Sequence, residues 1–303
     1  MAGAPAVSVI LPTYNRAAIL ERAVRSVLAQ TFRDLELIVV DDGSSDDTPL
    51  RMRAISDPRL IYLQQPRSGS AAIARNTGVR AARAALLAFQ DSDDEWLVDK
   101  LRRQVDTLQA APAQTGLVCG GYIILPRSGA PSYMGADVRM QRGDWGADNI
   151  YDFCFITPTW LVRRSALEAV GMFDEQMPNL EDWELSFRLF RQAVGIVAMN
   201  QPLVLKHGGA DSLNWDATSR IRSLQLIIER HADLWQQHPR VLARFHDELG
   251  RLHSRMGNMA EGRAEFRSAL RLDPKPAKRW ALLLASCLGR GGYRRLRAVA
   301  GGA

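Results

Sequence analysis

In the first third of the chain, apolar residues come in short unbroken runs separated by stretches with helical spacing. Val7-Ser8-Val9-Ile10-Leu11, closed by Pro12, reads as a buried strand. Between Ala17 and Gln30, the residues Ile19, Leu20, Ala23, Val24, Val27 and Leu28 fall on one helical face. Leu35-Glu36-Leu37-Ile38-Val39-Val40 is a second strand, followed by a helix from about Asp47 to Ile55, a strand at Leu60 to Leu63, a helix from Ser70 to Ala84 and a strand at Leu86 to Phe89. Strands alternating with helices predict an α/β fold whose mostly parallel sheet is covered on both faces. Ligands of such sheets bind beyond the carboxyl ends of the strands.

The pattern then loosens. Gly116 to Leu125 reads as a strand, and 126–151 is polar, Gly-rich and without period. A helix capped by Asn179 or a neighbour runs to about Arg191, with Leu185, Leu189 and Phe190 on its apolar side. A strand at Gly195 to Met199 leads into Pro202-Leu203-Val204-Leu205-Lys206-His207-Gly208-Gly209. From about Ile221 every segment is helical. Val241 to Met256, the turn Gly257-Asn258, and Met259 to Leu272 form an antiparallel pair. Its residues Gly257, Ala264, Phe266, Ala269, Leu270, Asp273 and Pro274 resemble one tetratricopeptide-type unit. A single unit cannot bury its own face, so it is expected to pack on the preceding domain. The last helix, Ala277 to Leu288, carries Trp280, Leu282, Leu283, Leu284 and Leu288.

Composition changes this picture little. With 303 residues and 47% hydrophobic content the chain can bury one large core or two modest ones. No apolar run reaches the ~18 residues of a membrane span, and Met-Ala-Gly-Ala-Pro-Ala is not a secretory signal, so a cytoplasmic location is expected. Cys119, Cys154 and Cys287 are far apart in apolar surroundings and read as buried thiols. Charge is more telling. The net charge is +6, but Lys275, Lys278, Arg279, Arg290, Arg294, Arg295 and Arg297 follow the last acid, so the preceding residues sum to 6 − 7 = −1. Basicity confined to a tail argues against a nucleic-acid partner, which selects a basic stripe across the main fold. It suits contact of the last helix with an anionic membrane surface, against the plainer reading of a packed terminal helix with a solvated basic end.

The candidate chemistry lies in the loops. No G-x-G-x-x-G follows the first strand, and no G-x-x-x-x-G-K-[ST] occurs. Instead the strand ends carry Thr13-Tyr14-Asn15, Asp41-Asp42 and Asp91-Ser92-Asp93-Asp94. Crowded carboxylates repel unless a positive charge lies between them, and a hard divalent cation such as Mn2+ or Mg2+ suits oxygen ligands. The alternative is an acidic N-terminus for a helix beginning near Trp96. Asp42 can accept hydrogen bonds from a base or ribose, or be a turn residue before Gly43. Tyr14 can stack a base, or pack on the core. Trp145 and Trp160 offer indole faces to sugar rings, or to the core.

Taken together, Val7 to Asn15, Glu36-Leu37-Ile38-Val39-Val40-Asp41-Asp42-Gly43-Ser44, Ala74-Arg75-Asn76-Thr77-Gly78 and Asp91-Ser92-Asp93-Asp94 resemble the inverting nucleotide-sugar glycosyltransferases of family 2, in order and in spacing. The likeness is strong over about 6–110 and looser to about 210. It implies the GT-A fold, a divalent cation, a nucleoside diphosphate donor, usually UDP, and a glycan or lipid-linked acceptor. The implied division is 1–215 for the transferase domain, with a nucleotide half to 110 and an acceptor half from 111, and 216–303 for a helical extension. By the same likeness Pro12, Thr13, Tyr14, Asn15, Asp42, Arg75 and Asp93 hold the nucleotide, and Asp91, Asp93, Asp94 and His207 the metal. In Glu181-Asp182-Trp183-Glu184-Leu185 the likeness implies that Asp182 is the base that deprotonates the acceptor, with Glu181 as its neighbour or orienter. Trp160 and Trp183 are expected to face the acceptor. Two alternatives are a sugar nucleotidyltransferase, whose Gly-rich basic loop Pro12-Thr13-Tyr14-Asn15-Arg16 does not match, and a non-catalytic scaffold acting through its helical tail.

Overall fold

The structure, a computed structural model, describes residues 3–135, 151, 156–208, 216–291 and 293. Trp145 and Cys154 lie outside the described residues. The chain divides into two compact units, Met1–Met177 with Glu181–Ser212, and Pro178–Leu180 with Leu213–Ala303.

In the first unit the alternating runs form β1 (Val7–Thr13), α1 (Leu20–Leu28), β2 (Leu35–Asp41), α2 (Thr48–Arg53), β3 (Leu60–Gln64), α3 (Ala71–Ala81) and β4 (Leu86–Phe89). The strands are parallel in the order β3-β2-β1-β4, with Ile10 between Ile38 and Phe89. Nearly every residue of β1 and β2 is buried, as two covered faces require. Helix α3 lies close on β1, because an added Cβ at Gly78 would meet Ile10 Cγ2 at 2.4 Å. Ser70 caps α3 by accepting from the Ile73 amide at 3.4 Å. One buried carboxylate ties strands to connection: Glu36 of β2 accepts from Ser8 Oγ (2.6 Å), the Arg83 amide (2.8 Å) and Arg83 Nε (2.7 Å).

After β4 the sheet becomes mixed. It continues through β5 (Glu95–Trp96), α4 (Lys100–Ala110), β6 (Thr115–Leu125), β7 (Ser132–Met134), β8 (Leu161–Arg163), α5 (Arg164–Ala169), α6 (Glu181–Arg191) and β9 (Gly195–His207). Strand β8 is antiparallel to both β4 and β6, β9 is parallel to β6, and β5 is antiparallel to β9. The helix expected near Trp96 therefore begins at Lys100, and a strand separates it from the aspartates. Those carboxylates are not a first helical turn. The two stretches expected around Pro202 are one strand, β9, whose register against β6 shifts where Gly120 and Gly121 face Met199 and Pro202. A proline without an N–H is tolerated at such an irregularity.

The second unit comprises α7 (Ala217–Arg230), α8 (Ala232–Gln237), α9 (Pro239–Met256), α10 (Met259–Leu272) and α11 (Ala277–Cys287). Asp216 caps α7 by accepting from the Thr218 and Ser219 amides at 3.2 and 3.0 Å. Gly257, at φ 96°, ends α9 in the left-handed conformation and turns the chain into α10. Gly250 and Gly262 let the two helices approach, since a Cβ at Gly250 would meet Phe266 at 2.5 Å and one at Gly262 would meet Ser254 Oγ at 2.4 Å. Two expectations are corrected. Cys287 is exposed, because its side of α11 also presents Trp280, Leu284 and Leu288, whereas Cys119 is buried. Asn179 itself does not supply the cap of α6 expected from it or a neighbour: its buried Oδ1 has no hydrogen-bond partner among the described residues, and Leu180, at φ 58°, intervenes. Among the described residues no helix is long and apolar enough to cross a membrane.

Candidate active site

The three aspartates sit where β4 opens into β5, with one carboxylate oxygen of each of Asp91, Asp93 and Asp94 within 4.8 Å of the others. The loop is pinned through its backbone. Arg22 Nη2 donates to the Asp93 carbonyl at 2.7 Å and Gln90 Nε2 to the Asp94 carbonyl at 2.9 Å, so neither bond consumes a carboxylate. Asp94 is fully buried, and its Oδ1 has no hydrogen-bond partner among the described residues. Burial pushes its pKa up to about 7; Lys206 opposes this and the charges of Asp91 and Asp93 add to it. Asp93 is raised by burial and then by Asp91. A buried, partnerless carboxylate oxygen among three oxygen donors is the donor set of a hard divalent cation. Asp91, Asp93 and Asp94 fit it.

Strand pairing brings a cation to this cluster. Glu95 faces Leu205 across β5 and β9, and continuing that antiparallel register sets Lys206 against Asp94. Lys206 Nζ lies 3.3 Å from Asp94 Oδ2. His207 Nε2 lies 3.3 Å from Glu95 Oε2, and the grouped carboxylates do not include this histidine.

Arg75 joins the cluster to α6. It is buried on α3, donates through Nη2 to Asp91 Oδ1 at 2.8 Å and through Nη1 to Glu181 Oε1. Beside Glu181, Asp182 accepts from the Trp183 amide at 2.8 Å. Burial raises Asp182 to about 7, the charge of Glu181 adds to this, Arg75 and the Trp183 amide oppose it, and Asp91 adds a smaller push. A carboxylate held near neutrality suits general-base work. Asn76, next to Arg75, clamps the neighbouring turn through Nδ2 to the Phe173 carbonyl (2.8 Å) and to Glu175 (2.9 Å), and accepts from the Phe173 amide (3.1 Å). Sequence reasoning marked Asn76 only as part of a motif.

The nucleotide residues lie at the ends of β1 and β2. Asn15, at φ 50°, accepts from the Ser45 amide at 2.8 Å while its own amide donates to Ser44 Oγ at 2.8 Å, strapping the two loops together. Asparagine is among the few residues that tolerate this conformation. Pro12 and Thr13 complete β1 opposite Val40 and Asp41, and Thr13 is buried. Asp42 is buried and accepts from Gln65 Nε2 (2.7 Å), the Ser68 amide (2.9 Å), Ser68 Oγ (2.6 Å), the Gly69 amide (2.9 Å) and Arg67. Burial works to raise its pKa, but these bonds hold it below the ordinary carboxylate value. Arg67 also lies 3.5 Å over the centroid of the Tyr14 ring, which is 38% exposed. No pattern of residues foretells Arg67 or the loop around it, which has no period.

Of the two acceptor tryptophans, Trp183 is mostly buried with its ring 5.1 Å from that of Tyr151. Trp160 is corrected: it is fully buried after the turn Thr157–Thr159 and presents no ring face to a sugar.

The model of glycosyl transferase family 2 matches residues 8–171. TuaG of Bacillus subtilis, a glycosyltransferase provisionally assigned to teichuronic acid biosynthesis, is 36% identical over 75% of this chain and 89% of its own. The chain spans 70% of the first curated relative, an uncharacterized glycosyltransferase of Rickettsia prowazekii, and 32% and 28% of two others from the genus. Among solved structures, S. aureus TarS 1–349 in complex with UDP-GlcNAc superposes with TM-score 0.72 at 19% identity over 97% of this chain and 92% of that one. A Pyrobaculum calidifontis mannosyltransferase in complex with GDP-Man and Mn2+ gives 0.63 at 18% identity over 97% and 84%.

Proposed function

Since the chain belongs to glycosyl transferase family 2 and has the GT-A fold, we propose that it is a metal-dependent inverting enzyme. It moves a sugar from a nucleoside diphosphate, UDP before other bases, to an acceptor hydroxyl in polysaccharide synthesis. The observation that carries this reading is Arg75, which spans from Asp91 of the aspartate cluster to Glu181 beside Asp182. Leaving-group charge and acceptor proton are thereby handled by groups in one connected network.

In this reading Tyr14 stacks the base, and Arg67 over its ring marks that face as one that takes a flat or cationic group. Asp42 keeps the 65–69 loop folded against the nucleoside, while Pro12, Thr13 and Asn15 shape its other wall. Asp91, Asp93 and Asp94 would hold the cation, and His207, next along β9 from Lys206, would contact it or the diphosphate. When bound there, Mn2+ or Mg2+ would supply positive charge to the departing diphosphate. Asp182 takes the proton of the acceptor hydroxyl, which attacks the anomeric carbon from the face opposite the leaving group, with Trp183 beside the acceptor. The UDP-GlcNAc held by TarS supports a UDP-sugar donor, and the Mn2+ held by the mannosyltransferase supports a divalent cation.

The acceptor is a glycan or a lipid-linked sugar, and α11 touches an anionic membrane where the latter resides. Its Trp280, Leu284 and Leu288 are exposed on one side, with Lys278 and Arg290 adjacent. A screen of nucleotide sugars with Mn2+, read by NMR of the product, tests the reaction. An α-linked UDP-sugar is expected to give a β-linked product, with turnover abolished by EDTA. Retained configuration, or turnover indifferent to EDTA, contradicts it.

A further inference from the structure

Asp94 has two unlike oxygens. Oδ1 is buried with no partner among the described residues, whereas Oδ2 faces Lys206 Nζ at 3.3 Å. The lysine is fixed there by the register of β5 against β9, and its side chain keeps 28% of its surface while Asp94 keeps none. It therefore brings positive charge to the carboxylates that would receive a divalent cation. An ammonium and a dication on one carboxylate repel each other, and a partly solvated lysine can swing outward when the second cation enters. A diphosphate removes the conflict, because its own negative charges accept both cations at once.

Resting on the metal reading above, we propose that Lys206 is a built-in competitor of the divalent cation at Asp94. It keeps metal affinity low until the nucleotide diphosphate arrives, and then turns from Asp94 to the phosphates. Lys206 thus couples metal binding to donor binding, as a contact of the donor phosphates rather than a ligand of the metal. The cluster binds metal weakly alone and strongly with UDP.

The test is Mn2+ binding followed by electron paramagnetic resonance, without and with UDP, on the full chain and on Lys206→Met, Lys206→Gln and Lys206→Arg. Without UDP, the two uncharged variants are expected to bind Mn2+ about ten-fold more tightly than the unaltered chain, a factor far below bare Coulomb repulsion because solvent screens the lysine. The gain in Mn2+ affinity on adding UDP shrinks by a similar factor, and Lys206→Arg behaves like the unaltered chain. If all proteins bind Mn2+ but the uncharged variants bind it no more tightly, the competition is overturned while the metal reading stands. If none binds Mn2+ with or without UDP, both fall together.

Discussion

Arg75 contacts Asp91, 16 residues on, and Glu181, 106 residues on, so one buried guanidinium fixes the distance between two halves of the proposed chemistry. Asp182→Asn preserves size but cannot accept the proton, and is expected to slow transfer by about 10³-fold while donor affinity stays within about two-fold, read by steady-state kinetics and calorimetry. The Asp182 carboxyl is raised to about 7 by burial and Glu181, against Arg75, the Trp183 amide and the push of Asp91. The base works only when ionised, so kcat/KM is expected to fall as pH drops through about 7; a rate flat down to about pH 5 contradicts the assignment. Glu36 shows the opposite sign. Burial works to raise it, but Ser8 and Arg83 outweigh burial and hold it below 4.5. Its contribution to stability is present above that value and lost as pH falls through its lower folded value. Glu36→Ala is expected to cost about 3 kcal/mol in urea unfolding at about pH 7. At this scale the acids were legible from their positions at strand ends. What they bond to was not: the donors to Asp42 come from an aperiodic loop, and Arg67 over Tyr14 is a surface residue in every sequence pattern.

Elements built on unbroken runs, β1, β2 and β4, were readable because two covered faces leave no polar alternation. Those past β4 were harder. Three-residue β8 is too short to carry a period, yet it is the strand that turns the sheet from parallel to mixed. Two-residue β5 lay inside a segment read as the approach to a helix, and its pairing with β9 is what brings Lys206 to Asp94. Packing of α3 on β1 is close at Gly78, where a Cβ would fall 2.4 Å from Ile10 Cγ2. Gly78→Val is expected to destabilise by about 2 kcal/mol, since overpacking exceeds what replacing a helical glycine returns. An unchanged urea midpoint would show that α3 shifts without cost. Because α3 carries Arg75, the same variant should lose transferase activity beyond its loss of stability.

For the whole molecule, the helical unit was legible as helices and its charge was not. Arg279, one of the seven basic residues counted in the tail, is buried and paired with Asp247 at 2.6 Å and Asp273 at 2.6 Å, so it is internal structure rather than surface charge. The exposed Trp280, Leu284 and Leu288 remain for the proposed membrane contact. Replacing all three by serine is expected to release the protein from anionic vesicles in co-sedimentation while leaving UDP binding unchanged; binding that persists, or that survives deletion of 275–303, rules out this face. In the proposed reading metal and nucleotide meet at the aspartates beyond β4, and titrating UDP into the unaltered chain by calorimetry, with Mn2+ and with EDTA, addresses that most directly. Binding that weakens at least about ten-fold in EDTA, and loses its metal dependence in Asp94→Ala, is the predicted result; UDP affinity equal with and without Mn2+ contradicts it.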